Sequence, residues 1–134
     1  MSSHCLDAPP FTVRSAARRA GYAVLALLLL GAVIVAAVAY GTGYWQIATF
    51  AIAPDVALCF GLGRGLAKGR LHPRAVGAYN LLHRFWGPLV LVVLGAFGVI
   101  SLGLLIGGLT WALHIAFDRS MGYGLRTRDG FQRA

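Results

Sequence analysis

The sequence predicts an all-α transmembrane protein, a four-helix bundle with both ends of the chain on the cytoplasmic side. Three observations predict it. The 134-residue chain is 58% hydrophobic and 12% charged, whereas a soluble domain carries roughly a quarter charged residues. Its mean hydropathy is +0.72, and its apolar residues fall in runs near the length of about 20 that a helix needs to cross a bilayer. Its 12 Lys and Arg residues sit in segments that a single fold-back pattern gathers on one side.

Residues 1–13 are small and polar with Pro9 and Pro10, and read as a flexible N-terminal tail. A single membrane domain over 14–125 follows, and 126–134 reads as a basic C-terminal tail. Arg14, Arg18 and Arg19 lead into the uncharged run 21–40, the first span. Ala37-Val38-Ala39 resembles a signal-peptidase site. The run exceeds the usual signal core of about 7–15 residues, so it reads as a retained anchor rather than a cleaved leader.

The turn 41–43 (Gly-Thr-Gly) leads to a second span over about 44–63, interrupted by Pro54-Asp55. Tyr44 and Trp45 suit the headgroup level. The segment 64–75 is basic and glycine-rich. Over 76–117 Arg84 is the only Lys or Arg, and one helix of that length would run about 63 Å, twice the hydrocarbon thickness. A turn near Phe97-Gly98 divides it into spans at about 76–97 and 99–117. Pro88 is expected to kink the third span, because proline removes a helix hydrogen bond. The rival reading is a single span at 86–108, which sends the C-terminal arginines to the opposite side.

Charge placement decides for four spans. Arg14, Arg18, Arg19, Arg64, Lys68, Arg70, Arg74, Arg84, Arg119, Arg126, Arg128 and Arg133 then share one side, and the turns at 41–43 and 97–98 carry no basic residue. Positive charge is retained on the cytoplasmic side. This explains the net charge of +8 without nucleic acid, for which the chain offers no fold context. Cys5 and Cys59 match no metal or disulfide spacing and read as free thiols. Gly61 with Gly65, and Gly103 with Gly107, are four apart, the interval that lets helices approach closely in lipid, within the chain or between copies in a homo-oligomer.

Several other features carry less. Gly61-Leu62-Gly63-Arg64-Gly65 follows a membrane helix rather than a strand, so it reads as a helix exit and not a phosphate loop. His4 and His72 fall in exposed segments. Trp45, Trp86 and Trp111 read as boundary anchors. No Gly-x-Ser-x-Gly nucleophile motif is present.

The topology gives meaning to four ionisable residues. Asp55 falls about 12–15 Å inside the second span and His83 about 10 Å inside the third, at 1.5 Å per residue. His114 and Asp118 end the fourth span on the same side, one helical turn apart. An ionised carboxylate at that depth needs a partner. Two carboxylates and two imidazoles from three helices suit a divalent metal, with Zn, Mn and Fe all accepting such ligands. Asp55, His83, His114 and Asp118 are therefore the candidate catalytic and metal-binding residues. Tyr79 and Asn80, on the His83 face, are candidates for orienting ligands or substrate. Arg84 and Arg119, next to His83 and Asp118, are candidates for holding a phosphate or carboxylate.

A coordinated water then acts as nucleophile, which suits hydrolysis of a lipidic substrate. The alternatives are a non-enzymatic helix-packing subunit, a haem carrier with His83 and His114 as axial ligands, and a component of a proton or ion pathway. Haem ranks below a simple ion because pockets for it are mainly apolar.

At these residues the sequence resembles a bacterial family of small membrane proteins catalogued as domain of unknown function 4260. The resemblance rests on Pro54-Asp55, on Tyr79-Asn80-Leu81-Leu82-His83, and above all on the run from His114 through Asp118-Arg119 to Leu125. It covers about residues 20–131. It implies a four-helix protein of the bacterial inner membrane and marks the same polar residues, and it implies no activity. The His-x-x-x-Asp ending also looks like that of membrane-embedded metal-dependent hydrolases, a weaker analogy that transfers no function.

Overall fold

Ser101 and Gly122 bracket the helix around which the rest of the chain is arranged. The Ser101 hydroxyl accepts the Leu104 N–H at 3.3 Å, satisfying one of the free donors of a helix start. Gly122 adopts φ 91°, and the amides of Gly122 and Tyr123 close on the carbonyls of Arg119 and Asp118. Only glycine takes this left-handed turn without strain. The helix runs Leu102–Met121, one turn beyond the expected end at 117, so Asp118 belongs to the helix rather than to its exit.

The computed structural model describes residues 13–133. Among these the chain is all-α: α1 (Val13–Tyr40), α2 (Tyr44–Ile52), a 3-10 turn (Ala53–Asp55), α3 (Val56–Gly61), α4 (Pro73–Leu82), α5 (Trp86–Ala96) and α6 (Leu102–Met121). An isolated bridge joins Arg126 to Gln132. Most of the N-terminal tail, including Cys5 and His4, lies outside the described residues.

α1, α2 and α5 all pack on α6, and its glycines make this close approach possible. A Cβ on Gly107 would lie 2.6 Å from Phe50, one on Gly103 3.0 Å from Gln46, and one on Gly108 2.8 Å from Leu91. Gly103 and Gly107 thus seat α2 within the chain, while Gly108 seats α5. α1 runs antiparallel to α6: near one end Arg19 donates to the Ser120 carbonyl at 2.9 Å, and at the other Gly43 rests on Ile106. Ala26, Val33 and Ala37 are its buried positions, spaced seven and four apart as one helix face requires.

The expected second and third spans are each broken. Pro54 has no N–H, and the ladder tightens into the 3-10 turn between α2 and α3. The third segment breaks at 83–85, between α4 and α5. Pro88 therefore does not kink a continuous helix. It lies in the first turn of α5, where a missing N–H matters least. At 1.5 Å per residue α2 and α5 are about 14 and 17 Å long, half the hydrocarbon thickness. Among the described residues α1 alone is long and apolar enough to cross a membrane by length and composition.

α4 does not extend the bundle but folds onto α3, with Ala57, Leu71, Ala75 and Tyr79 as the shared core. Its start is set by Pro73 and by His72, whose Nδ1 accepts the Arg74 N–H at 3.3 Å. The C-terminal segment covers this unit. Asn80 accepts the Arg126 amide at 2.7 Å and donates to its carbonyl at 2.9 Å. The Leu71 amide donates to the Gly130 carbonyl at 2.9 Å, and Arg70 donates to Asp129 O at 2.7 Å. The arginines 19, 70, 84, 119 and 126 consequently share the end of the molecule at which α6 terminates.

Candidate metal site

Both helix breaks lie at the same level against α6, and each delivers one candidate ligand. The 3-10 turn carries Asp55, and the end of α4 carries His83. His114 and Asp118 come from successive turns of α6. The four meet. His83 Nε2 lies 3.3 Å from Asp55 Oδ1 and 3.4 Å from Asp118 Oδ2. His114 Nε2 lies 3.5 Å from each of the same two oxygens. All four ligand atoms are within 4.8 Å of one another.

The breaks also orient the imidazoles. Pro54 supplies no donor to the carbonyls of the preceding turn, and the Ala51 carbonyl meets His114 Nδ1 at 3.0 Å. The Tyr79 carbonyl, at the end of α4, meets His83 Nδ1 at 2.9 Å. A carbonyl can only accept, so each Nδ1 carries the hydrogen, and each ring in its neutral form presents its lone pair at Nε2. These two Nε2 atoms are buried and make no hydrogen bond among the described residues. Two lone pairs and two carboxylates face one another across a few ångströms. That arrangement repels itself unless a cation or added protons lie between them.

Other side chains hold the site in place. The Trp111 indole donates to the Leu82 carbonyl at 2.7 Å, and Arg119 donates to the His83 carbonyl at 3.2 Å, so α6 satisfies the open end of α4. Trp111 fits because Gly87 faces its ring. The Tyr79 ring stacks on His83 with centroids 3.9 Å apart, and the Arg126 guanidinium lies 5.0 Å from the Tyr79 centroid on the ring face.

The His83 side chain is 3% exposed and that of Asp55 44%, so the cluster opens on the Asp55 side. Tyr79 touches the cluster through His83. Asn80 turns its amide to the Arg126 backbone. Arg84 and Arg119 line a separate groove of about 420 Å3 with Phe85, Trp86 and Leu89. Sequence reasoning missed the Ala51 carbonyl, the Trp111 cap and Arg126. Pro54 was the available signal for the first, since a proline inside a helix leaves carbonyls free three and four residues back.

Fold and site together define, over the described residues, an all-helical protein with one long apolar helix and a part-buried cluster of two aspartates and two histidines. The chain belongs to the family described as domain of unknown function (DUF4260), whose model matches residues 21–134 and so includes every residue of the cluster. No curated protein and no solved structure matches it.

Proposed function

We propose that Asp55, His83, His114 and Asp118 bind one divalent transition metal, and that the protein is a membrane-embedded metal-dependent hydrolase of a lipidic or amphipathic substrate. The observation that carries the metal is the aim of the two imidazoles. With each Nδ1 tied to a carbonyl, both Nε2 atoms converge on the same pair of carboxylate oxygens. Separations of 3.3–3.5 Å are long for charge-assisted hydrogen bonds, about 2.7–2.9 Å. They match the edge of a tetrahedron with bonds of about 2.0–2.2 Å, which is about 3.3–3.6 Å. Two carboxylates neutralise a dication. Haem fits poorly, because both carboxylate oxygens lie beside the two nitrogens where a porphyrin would have to pass.

A metal held there lowers the pKa of a coordinated water, and the exposed edge at Asp55 is where water and substrate would enter. Hydrolysis adds the water oxygen to an ester and returns a proton to the departing alkoxide, so no further reactant is needed. Lipid contact is supported by the exposed side chains of Leu27, Leu28, Val35 and Val38 on α1 and of Leu89, Val90 and Val93 on α5. In the four-segment reading α1, the broken 44–61 segment, α5 and α6 lie in the bilayer. The arginine-bearing end and both termini then face the cytoplasm of a bacterial cell, as retained positive charge requires.

Metal analysis of detergent-purified protein tests this reading. The expected result is about one zinc, manganese or iron per chain, lost in Asp118→Asn and His114→Ala. Activity toward lipid-chain esters and phosphoesters should disappear with chelation and return with the same metal. A wild type that neither retains nor takes up any of the three ions overturns the site. A metal-loaded protein inert toward all such esters overturns the hydrolase and leaves a non-enzymatic metal-binding subunit.

A further inference from the structure

The groove beside the metal site has a composition that the cluster does not explain. Its lining carries two guanidiniums, Arg84 and Arg119, no carboxylate, and the apolar surfaces of Phe85, Trp86 and Leu89. Arg119 is anchored at one side by its bond to the His83 carbonyl. Arg84, next in the chain to His83, is exposed, and its guanidinium has no hydrogen-bond or ion-pair partner among the described residues. The carboxylates of Asp55 and Asp118 face the two imidazoles rather than this groove. Trp86 is 72% exposed, and below it Leu89, Val90, Val93 and Phe97 continue as exposed apolar surface along α5. Polar and apolar parts are thus ordered along one direction: two cations at the end where α6 terminates, then an indole, then an aliphatic strip.

We infer that this groove binds a phosphate-bearing amphiphile, with the anionic head between Arg84 and Arg119 and the chain along Trp86, Leu89 and the outer face of α5. Guanidinium forks match phosphate oxygens in geometry as well as charge. An indole at the join suits the boundary between a polar head and a hydrocarbon chain. The inference deepens the proposed function by naming its substrate class. Arg119 follows Asp118 and Arg84 follows His83, so a head held here lies next to the cluster. It rests on that reading only for the consequence of binding, since the groove shares none of its lining with the metal-facing side chains.

The test is a titration of detergent-purified protein with dioctanoyl phosphatidic acid, dioctanoyl phosphatidylcholine and inorganic phosphate, read by tryptophan fluorescence with Trp86→Phe as the silent control. Saturable binding of the phosphatidic acid is expected, with the zwitterionic lipid and inorganic phosphate each weaker by about tenfold or more. Arg84→Gln should weaken the phosphatidic acid about tenfold, the scale of a lost charge-assisted hydrogen bond. It should leave the metal content of the protein unchanged. Arg84→Lys should recover part of the loss. Equal binding of both lipids, or an unaltered affinity in Arg84→Gln, overturns the inference. Inorganic phosphate binding as tightly as the lipid also overturns it, leaving a site for the free anion. Binding that follows Arg84 in a protein without metal upholds the groove and rejects only the metal reading.

Discussion

His83 and His114 share the same two partners: each Nε2 lies within 3.5 Å of both Asp55 Oδ1 and Asp118 Oδ2. Neither ring is free to turn away, because its other nitrogen is bonded to a backbone carbonyl beside a helix break, Ala51 for His114 and Tyr79 for His83. The site is therefore built from interruptions in the backbone as much as from its four side chains.

Pro54→Ala is expected to weaken metal binding by about 10–100-fold, the usual cost of losing a contact that orients a ligand. An alanine N–H lets the helix continue through 51–55, which removes the Ala51 carbonyl from His114 and rotates Asp55. Competition with a metallochromic chelator measures it. Unchanged affinity would mean that the break has no part in orienting the ring.

Metal should stabilise the folded chain. A ligand at 100 times its Kd contributes about 2.7 kcal/mol by mass action. Thermal unfolding in detergent should shift upward by several degrees on adding zinc to the chelator-treated protein. The double variant Asp55→Asn/Asp118→Asn should show no such shift, since its amides carry no charge for the ion.

Asn80→Ala separates a scaffold role from a substrate role. Its amide makes two hydrogen bonds to the Arg126 backbone, and removing them leaves part-buried polar groups unpaired, at a cost of about 1–3 kcal/mol. The expected result is lower thermal stability and faster proteolysis after residue 124 with full metal content. A loss of substrate affinity with stability intact would instead place Asn80 against the substrate.

Two glycines should behave in opposite ways. Gly107→Ala puts a methyl against Phe50 and should cost about 1–3 kcal/mol by overpacking. Gly31→Ala meets nothing within 4 Å and should be neutral or stabilising, by up to about 1 kcal/mol, from helix propensity. Both are read by thermal unfolding in the same detergent. Equal effects would mean that the α2–α6 contact is not close-packed.

The residues themselves settled much of this. Hydrophobic run lengths were enough to identify an all-helical chain with an apolar first helix, and the presence of Asp55, His83, His114 and Asp118 at the ends of or within apolar segments was enough to single them out as the group that the structure brings together. Both depend on local properties, namely side-chain hydropathy and the cost of a charge among apolar neighbours. Where the helices stop was less legible. Run length treats 76–97 as one span, yet its first part folds onto α3 and its second onto α6, and Pro88 marks a helix start. The direction in which Asn80 and Arg84 point was not legible at all. Composition and period constrain a residue's environment, whereas a side chain's partner depends on segments far away in sequence, here Arg126 for Asn80 and the Leu82 carbonyl for Trp111. The sequence alone singled out which polar residues stand among apolar helices; the tertiary structure decided that and how they meet, because only packed helices determine which backbone carbonyls face a ring.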